Sequence, residues 1–284
     1  MNTRATAQLV VAAMTWGIGY PCAARVLEVV SPERFAGLRF VVGGMLLLGI
    51  ALVGARSRPG LAQLAREATL GVLAFGIYQL LWIEGLLRAG PGVAAILIAT
   101  SPLFGIAIAW ARGSAIRARA WAGVAASLLG VWLVVGRPGV GAGTLSAPGL
   151  VLCLAASAVW AVFVELQRRF SSDAPVRATA IGMLAGALVL LAIPGAGARG
   201  SIGAVHVVSF AFIAGVGAFA FVWWSRGVAA IGVARAMPFM YLIPVFAMLA
   251  SAVWVGEPLT PARVVGAGFV LIGVWAGASA RGAP

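Results

Sequence analysis

Long apolar runs constrain this chain more than anything else in it. A helix needs about 20 apolar residues to cross roughly 30 Å of hydrocarbon. Ten runs of this kind follow one another, at 5–27, 36–54, 68–87, 92–111, 120–135, 149–166, 178–194, 207–225, 233–255 and 262–278. Breaks between them carry arginines or Pro/Gly turns, as in Ser57-Arg58-Pro59-Gly60 and Arg137-Pro138-Gly139. Composition agrees. Hydrophobic residues make up 62% of the 284, charged residues only 10%, and mean hydropathy is +1.06, too apolar for a soluble surface. The runs are continuous rather than alternating, which excludes a transmembrane β-barrel. The expected fold class is an all-α integral membrane protein with ten transmembrane helices.

The formal charge of +13 does not point to nucleic acid. All 20 basic residues are arginines, scattered between the runs without a dense basic tract. With a cytoplasmic N-terminus, thirteen fall inside: Arg4, Arg56, Arg58, Arg66, Arg112, Arg117, Arg119, Arg168, Arg169, Arg177, Arg226, Arg235 and Arg281. Seven fall outside or near it: Arg25, Arg34, Arg39, Arg88, Arg137, Arg199 and Arg263. That asymmetry favours both termini inside. The first run is longer than the core of a cleaved signal and opens a series of similar runs, so it reads as a span. Cys22 and Cys153 are expected to be free, buried thiols, with a disulfide as the alternative.

The chain repeats itself. An offset of 142 relates Trp82 to Trp224, Gly85 to Gly227, Gly90 to Gly232, Pro102 to Pro244 and Phe104 to Phe246. An offset of 143 relates Gly123 to Gly266 and Gly130-Val131-Trp132 to Gly273-Val274-Trp275, and Trp16 lies 144 before Trp160. Residues 1–136 and 149–280 are therefore read as two copies of a five-span unit. Five is odd, so the second copy enters the membrane from the opposite side. Inverted repeats of this kind are a recurring architecture of secondary transporters, with the substrate bound near the midplane between the halves.

Several motifs resemble those of a known family. Ser101-Pro102-Leu103-Phe104, and the stretch from Pro244-Val245-Phe246 through Gly256-Glu257-Pro258-Leu259-Thr260 to Gly266, Gly273 and Val274, are similar to the two EamA repeats of the drug/metabolite transporter superfamily. Trp16-Gly17 and Arg39-Phe40 fit the same pattern. The first half departs from it, since Arg112-Gly113-Ser114 stands where the second half has Gly-Glu-Pro. Within the superfamily the chain most resembles YddG-type amino-acid exporters. The resemblance implies a ten-helix fold in which spans 1, 3, 4, 6, 8 and 9 surround a central cavity. It also implies export from the cell across a bacterial inner membrane.

Membrane tryptophans usually mark the headgroup belts, and Trp110, Trp121, Trp223, Trp224 and Trp254 are read that way. Trp16 and Trp160 sit mid-span instead, and Tyr20 follows Trp16 by one turn on the same face. Tyr78, Gln79 and Trp82 form a polar-aromatic patch whose amide and hydroxyl need partners in lipid. Cavity lining and plain interhelical packing would both supply them. Thr100 and Ser101 precede Pro102; Met237, Met240 and Tyr241 precede Pro244. The two matched prolines are expected to break the helix and free carbonyls, for a substrate, for a hydroxyl or simply as a packing kink. Gly182-x-x-x-Gly186 and Gly273-x-x-x-Gly277 suit close helix packing.

Of seven acidic residues, Glu28, Glu33, Glu67, Asp173 and Glu257 lie at loops or span ends and are expected to be solvated. Glu84 and Glu165 fall within spans and are proton-coupling candidates. Each also has an arginine four residues on, Arg88 and Arg169, so a helical ion pair is the competing reading.

No metal-ligand cluster, nucleophile motif or phosphate loop is present in the sequence, so neither an enzyme nor an ATP-driven pump is expected, and no cofactor. The reading is a carrier exporting small metabolites, foremost amino acids, by alternating access. An exporter of drugs or cationic compounds is the alternative, and a channel a weaker third. The substrate-binding set is Trp16, Tyr20, Tyr78, Gln79, Trp82, Thr100, Ser101, Trp160, Met237 and Tyr241. The expected partners are a small solute and the lipid bilayer, with a monomer admissible.

Overall fold

The computed structural model describes residues 3–53, 59–113, 118–135, 146–170, 174–194, 200–231 and 237–279, and every regular element among them is helical. In chain order these are α1 (Thr3–Leu27), α2 (Pro32–Val53), α3 (Leu61–Gly71), α4 (Tyr78–Ala89), α5 (Pro91–Ile98) and α6 (Ser101–Ala111). Then come α7 (Ala118–Val135), α8 (Ala147–Arg169), α9 (Pro175–Leu191), α10 (Ala204–Ala211), α11 (Gly217–Ile231), α12 (Leu242–Trp254) and α13 (Pro261–Ser279). Among the described residues, six helical stretches are long and apolar enough to cross a membrane: Thr3–Leu27, Pro32–Val53, Leu61–Ala89, Pro91–Ile108, Ala147–Gln167 and Ala204–Trp224. Shorter apolar helices cover Trp121–Gly130, Pro175–Leu191, Phe239–Trp254 and Pro261–Gly273.

The third stretch starts at Leu61, seven residues before the apolar run does. Its first turns carry Gln63, Arg66 and Glu67, which hide it from a hydropathy reading; Glu67 is buried rather than solvated because Arg177 of α9 meets it at 3.3 Å. Of the arginines that set the expected orientation, Arg56, Arg58, Arg117, Arg137, Arg199, Arg235 and Arg281 lie outside the described residues, as does Asp173.

Two helices are joined through π-turns. Val72–Ile77 links α3 to α4 and Phe212–Val216 links α10 to α11, at starts 212 − 72 = 140 residues apart. Two others are broken: Ala99 and Thr100 form a turn between α5 and α6, and a 3-10 helix, Met237–Tyr241, leads into α12. Large aliphatic side chains point outward along the helices, as Leu52, Leu128, Leu188, Val253 and Ile272 do, which suits a lipid exterior. The interior is small residues and rings.

Packing across the chain follows a pattern. α2 lies along α9, α7 along α13, α1 against α11 and α12, and α8 against α4, α5 and α6. Glycines let these backbones approach. A Cβ on Gly17 of α1 would sit 2.8 Å from the Ile243 carbonyl of α12, and one on Gly186 of α9 would sit 2.7 Å from the Phe75 backbone. Gly182 abuts Gly71 in the same way. In the α7–α13 seam Gly130 faces Gly266, Ser127 donates to the Val270 carbonyl and Gly273 faces Gly123, so the two helices are antiparallel. In the α2–α9 seam Gly37 meets Leu191 and Gly44 meets Leu184, again antiparallel. Cys22 and Cys153 are buried and separate.

Candidate functional site

Rings bridge the helices in the interior. α1 presents Trp16 and Tyr20 one turn apart. Trp16 packs on Phe221 and Trp224 of α11, with ring centroids at 5.1 and 5.6 Å. Tyr20 meets the edge of Trp82 on α4 at 5.2 Å. One turn earlier on α4, Tyr78 lies 5.0 Å from Trp160 of α8, which in turn lies 5.1 Å from Phe163. Tyr20, Gln79 and Trp82 are buried, while Trp16, Tyr78 and Trp160 are half-buried. The structure thus brings together six of the ten residues expected from the sequence as binding residues, on α1, α4 and α8.

Trp16 and Trp160, 144 residues apart, each make an interior ring contact, Trp16 with the apolar Phe221 and Trp160 with the phenol of Tyr78. Trp224, which the sequence places in the headgroup belt, belongs instead to this interior group, because α11 continues to Ile231 and leaves Trp224 mid-helix. Trp110, Trp121 and Trp254 do face outward, at 59%, 46% and 42% exposure.

Sequence reasoning missed a charged member of the group. Arg39, counted there among the outer arginines, lies seven residues after Pro32, about 10 Å down the axis of α2 at 1.5 Å per residue. Its guanidinium stacks over Phe40 at 4.4 Å, Phe35 at 5.4 Å and Trp82 at 5.5 Å. It also lies within electrostatic reach of the Tyr78 hydroxyl. Phe40 continues the ring contacts to Phe75 at 5.1 Å, and Phe75 to Phe221 at 6.2 Å. The signal was available: 36–54 is an expected span, and a charge inside a span is a functional candidate.

The broken helices do not behave quite as expected. Pro102 is the second residue of α6 and Pro244 the third of α12, so each proline opens a helix whose first turn needs no N–H from it. The breaks fall before them. At the first break, the Leu97 carbonyl accepts from the Thr100 N–H (3.1 Å), the Thr100 hydroxyl (2.6 Å) and the Ser157 hydroxyl of α8 (2.9 Å). Thr100 is buried and turned back onto its own chain, while Ser101 is half-buried at the start of α6. At the second break, Tyr241 is half-buried against the core; the side chain of Met237 lies outside the described ones.

Charge is concentrated at the two ends of the bundle. At the face where α1 ends, Glu84 pairs with Arg88. There too, Arg25 donates to the Trp254 carbonyl of α12 at 2.6 Å. Glu257 is not solvated: its carboxylate accepts from the Gly92 N–H of α5 at 2.8 Å and from Arg263 at 3.2 Å, and both partner side chains are 12% exposed. Burial pushes this carboxyl above its ordinary range, against the opposing pull of the Gly92 N–H and of Arg263. At the opposite face, Arg112 donates to Glu165 of α8 at 2.6 Å, and Arg169 is a more distant partner at 3.9 Å. Glu84 and Glu165, the proton-coupling candidates, both stand in these terminal ion pairs. Among the described residues no group of three or more His, Cys, Asp or Glu side chains gathers as a metal would need.

Among the described residues, an apolar exterior, an all-helical bundle and an interior of rings beside Arg39 define a class, the multi-pass helical membrane proteins. The sequence places the chain within it. The model of the EamA-like transporter family matches residues 4–136 and again 147–276, and the chain belongs to that family. It is similar to the uncharacterized inner membrane transporter YedA of Escherichia coli strain K12, 26% identical over 91% of this chain and 85% of that one. It is also similar to a probable terminal-alkyne amino-acid exporter of Streptantibioticus cattleyicolor, 27% identical over 96% of this chain and 92% of that one. An uncharacterized transporter of Archaeoglobus fulgidus is 24% identical over 92% of this chain and 93% of that one. One solved crystal structure shares the fold with a TM-score of 0.65, at 20% identity, covering 97% of this chain and 96% of that chain. Family and relatives alike are transporters rather than enzymes.

Proposed function

We propose that the chain is a secondary transporter that exports small metabolites, foremost amino acids, across a bacterial inner membrane by alternating access. Its working units are residues 1–136 and 149–280, two inverted five-helix repeats around a central binding region, with both termini cytoplasmic. The observation that carries this reading is the antiparallel packing of repeat mates. α7 and α13 hold matched glycines (Gly123 with Gly266, Gly130 with Gly273), and each glycine faces the mate of the other. That exchange is what a two-fold axis between the halves produces. Two equivalent halves give inward-open and outward-open states of similar energy, which alternating access needs.

The binding region is formed by Trp16, Tyr20, Tyr78, Gln79, Trp82 and Trp160, with Ser101 and Tyr241 at the helix breaks. Aromatic faces accept solute side chains of varied shape and attract an ammonium group by cation–π interaction. Amino-acid export also draws support from the relative named as an amino-acid exporter. The alternative of a cationic solute is disfavoured by Arg39, whose positive charge stands within the same group of rings.

Purified protein in liposomes tests the reading with a panel of labelled amino acids, nucleosides and cationic dyes. A carrier gives saturable uptake that is accelerated by unlabelled solute on the far side, for amino acids above the other classes. Linear, non-saturating flux would instead indicate a channel.

A further inference from the structure

We infer that Arg39 is the anchor for the carboxylate of the transported solute, which makes the site one for carboxylate-bearing amino compounds rather than for amines in general. This rests on the carrier reading above and adds to it the group that selects the solute.

The first argument is the absence of a counterion. A guanidinium at membrane depth requires compensation for lost water. The carboxylates that pair with arginine in the described residues are each held by another one: Glu28 by Arg25, Glu67 by Arg177, Glu84 by Arg88, Glu165 by Arg112 and Glu257 by Arg263. Among the described residues Arg39 stands in no ion pair, and the rings of Phe35, Phe40 and Trp82 lie beside it. The Arg39 side chain is half-buried, and cation–π attraction of this kind offsets only part of the cost of removing its water.

The second argument is geometric. The three rings offer the guanidinium no hydrogen-bond acceptor for its N–H donors, and among the described residues none of these donors has a hydrogen-bond partner. A carboxylate matches two of those donors side by side. Tyr78 stands one turn before Trp82 on the same helix, and its ring leads on to Trp160. A solute whose carboxylate sits at Arg39 therefore has aromatic surface within reach for its remaining parts.

The third argument is asymmetry. The positions on α9 that correspond to Arg39 are Gly182 and Met183, at 39 + 143 and 39 + 144. Gly182 packs against Gly71 and Phe75. One charge in one half suits one carboxylate on one solute.

The test uses full-length protein in liposomes, with counterflow of phenylalanine, phenylalaninamide and 3-phenylpropionate. The unmodified protein is expected to carry phenylalanine at a KM about ten- to a hundredfold below that for phenylalaninamide. Arg39→Gln is expected to abolish that preference by raising the KM for phenylalanine alone, and Arg39→Lys to restore part of it. Equal transport of acid and amide by the unmodified protein overturns the assignment, whether or not the variants fold, while leaving the carrier reading intact. An Arg39→Gln protein that keeps the preference overturns it as well. Silence toward every compound, with no counterflow at all, overturns the carrier reading and this inference together.

Discussion

A tryptophan at mid-span is costly to leave unpartnered, which singled out Trp16 and Trp160, while Tyr78 stood out through its polar-aromatic patch with Gln79 and Trp82. Their ring contacts join α1 to α11 and α4 to α8. Trp160→Ala and Tyr78→Ala should each lower export at least about tenfold, given about 0.5–1.5 kcal/mol for an aromatic pair plus lost solute contact. Membrane abundance, read by immunoblot, should stay near normal, and normal export by both variants would remove these residues from the site. Tyr78→Phe keeps the ring and should be milder. Arg39 and Trp224 were harder to read, for a shared reason: both lie close to an expected span boundary, at 36 and 225, where an error of a few residues converts an interior side chain into a surface one. Glu67 and Glu257 escaped for another. Their partners, Arg177 and Gly92, are 177 − 67 = 110 and 257 − 92 = 165 residues away, and no local pattern announces such pairings.

At the scale of the element, the glycine seams were legible as motifs but not in their partners. Gly182-x-x-x-Gly186 does serve close packing, against Gly71 and Phe75 of the α3–α4 stretch. Gly182→Leu should therefore sharply reduce membrane abundance, whereas Gly49→Ala and Gly268→Ala, with open space at the Cβ position, should leave it unchanged. The Glu257 link joins the α12–α13 loop to the first turn of α5. Glu257→Ala removes the acceptor of the Gly92 N–H and leaves Arg263 only the Pro258 carbonyl, and should cost about 1–3 kcal/mol, read as a lower apparent melting temperature in detergent. The pH dependence has a definite sign. A carboxyl raised above its unfolded value binds its proton more tightly in the folded protein, so its contribution to stability is greatest when protonated and falls as pH rises through the folded value. Glu257→Gln should flatten that slope. The breaks in the membrane helices were foreseen from Pro102 and Pro244, but a proline tolerated in a first turn marks where a helix resumes, so the irregular residues precede it.

For the whole molecule, the helical class was plain from apolar run length, because lipid leaves backbone groups no partner outside a helix or a closed barrel. Repeated glycines, prolines and tryptophans are the ground for the proposed two-part organisation, and the family model matches residues 4–136 and 147–276. Which helices meet was not legible, since that depends on seams such as α2 with α9 and α7 with α13 between residues far apart in the chain. Inversion of the two halves is the claim on which the transport cycle rests. It is tested most directly with single cysteines at Leu61 and Ile202, exposed positions 202 − 61 = 141 residues apart and hence nearly equivalent in the two repeats, after replacement of Cys22 and Cys153. Labelling by a membrane-impermeant maleimide should reach Ile202→Cys from outside intact cells and Leu61→Cys only in inverted vesicles. Labelling of both from the same side would contradict the account.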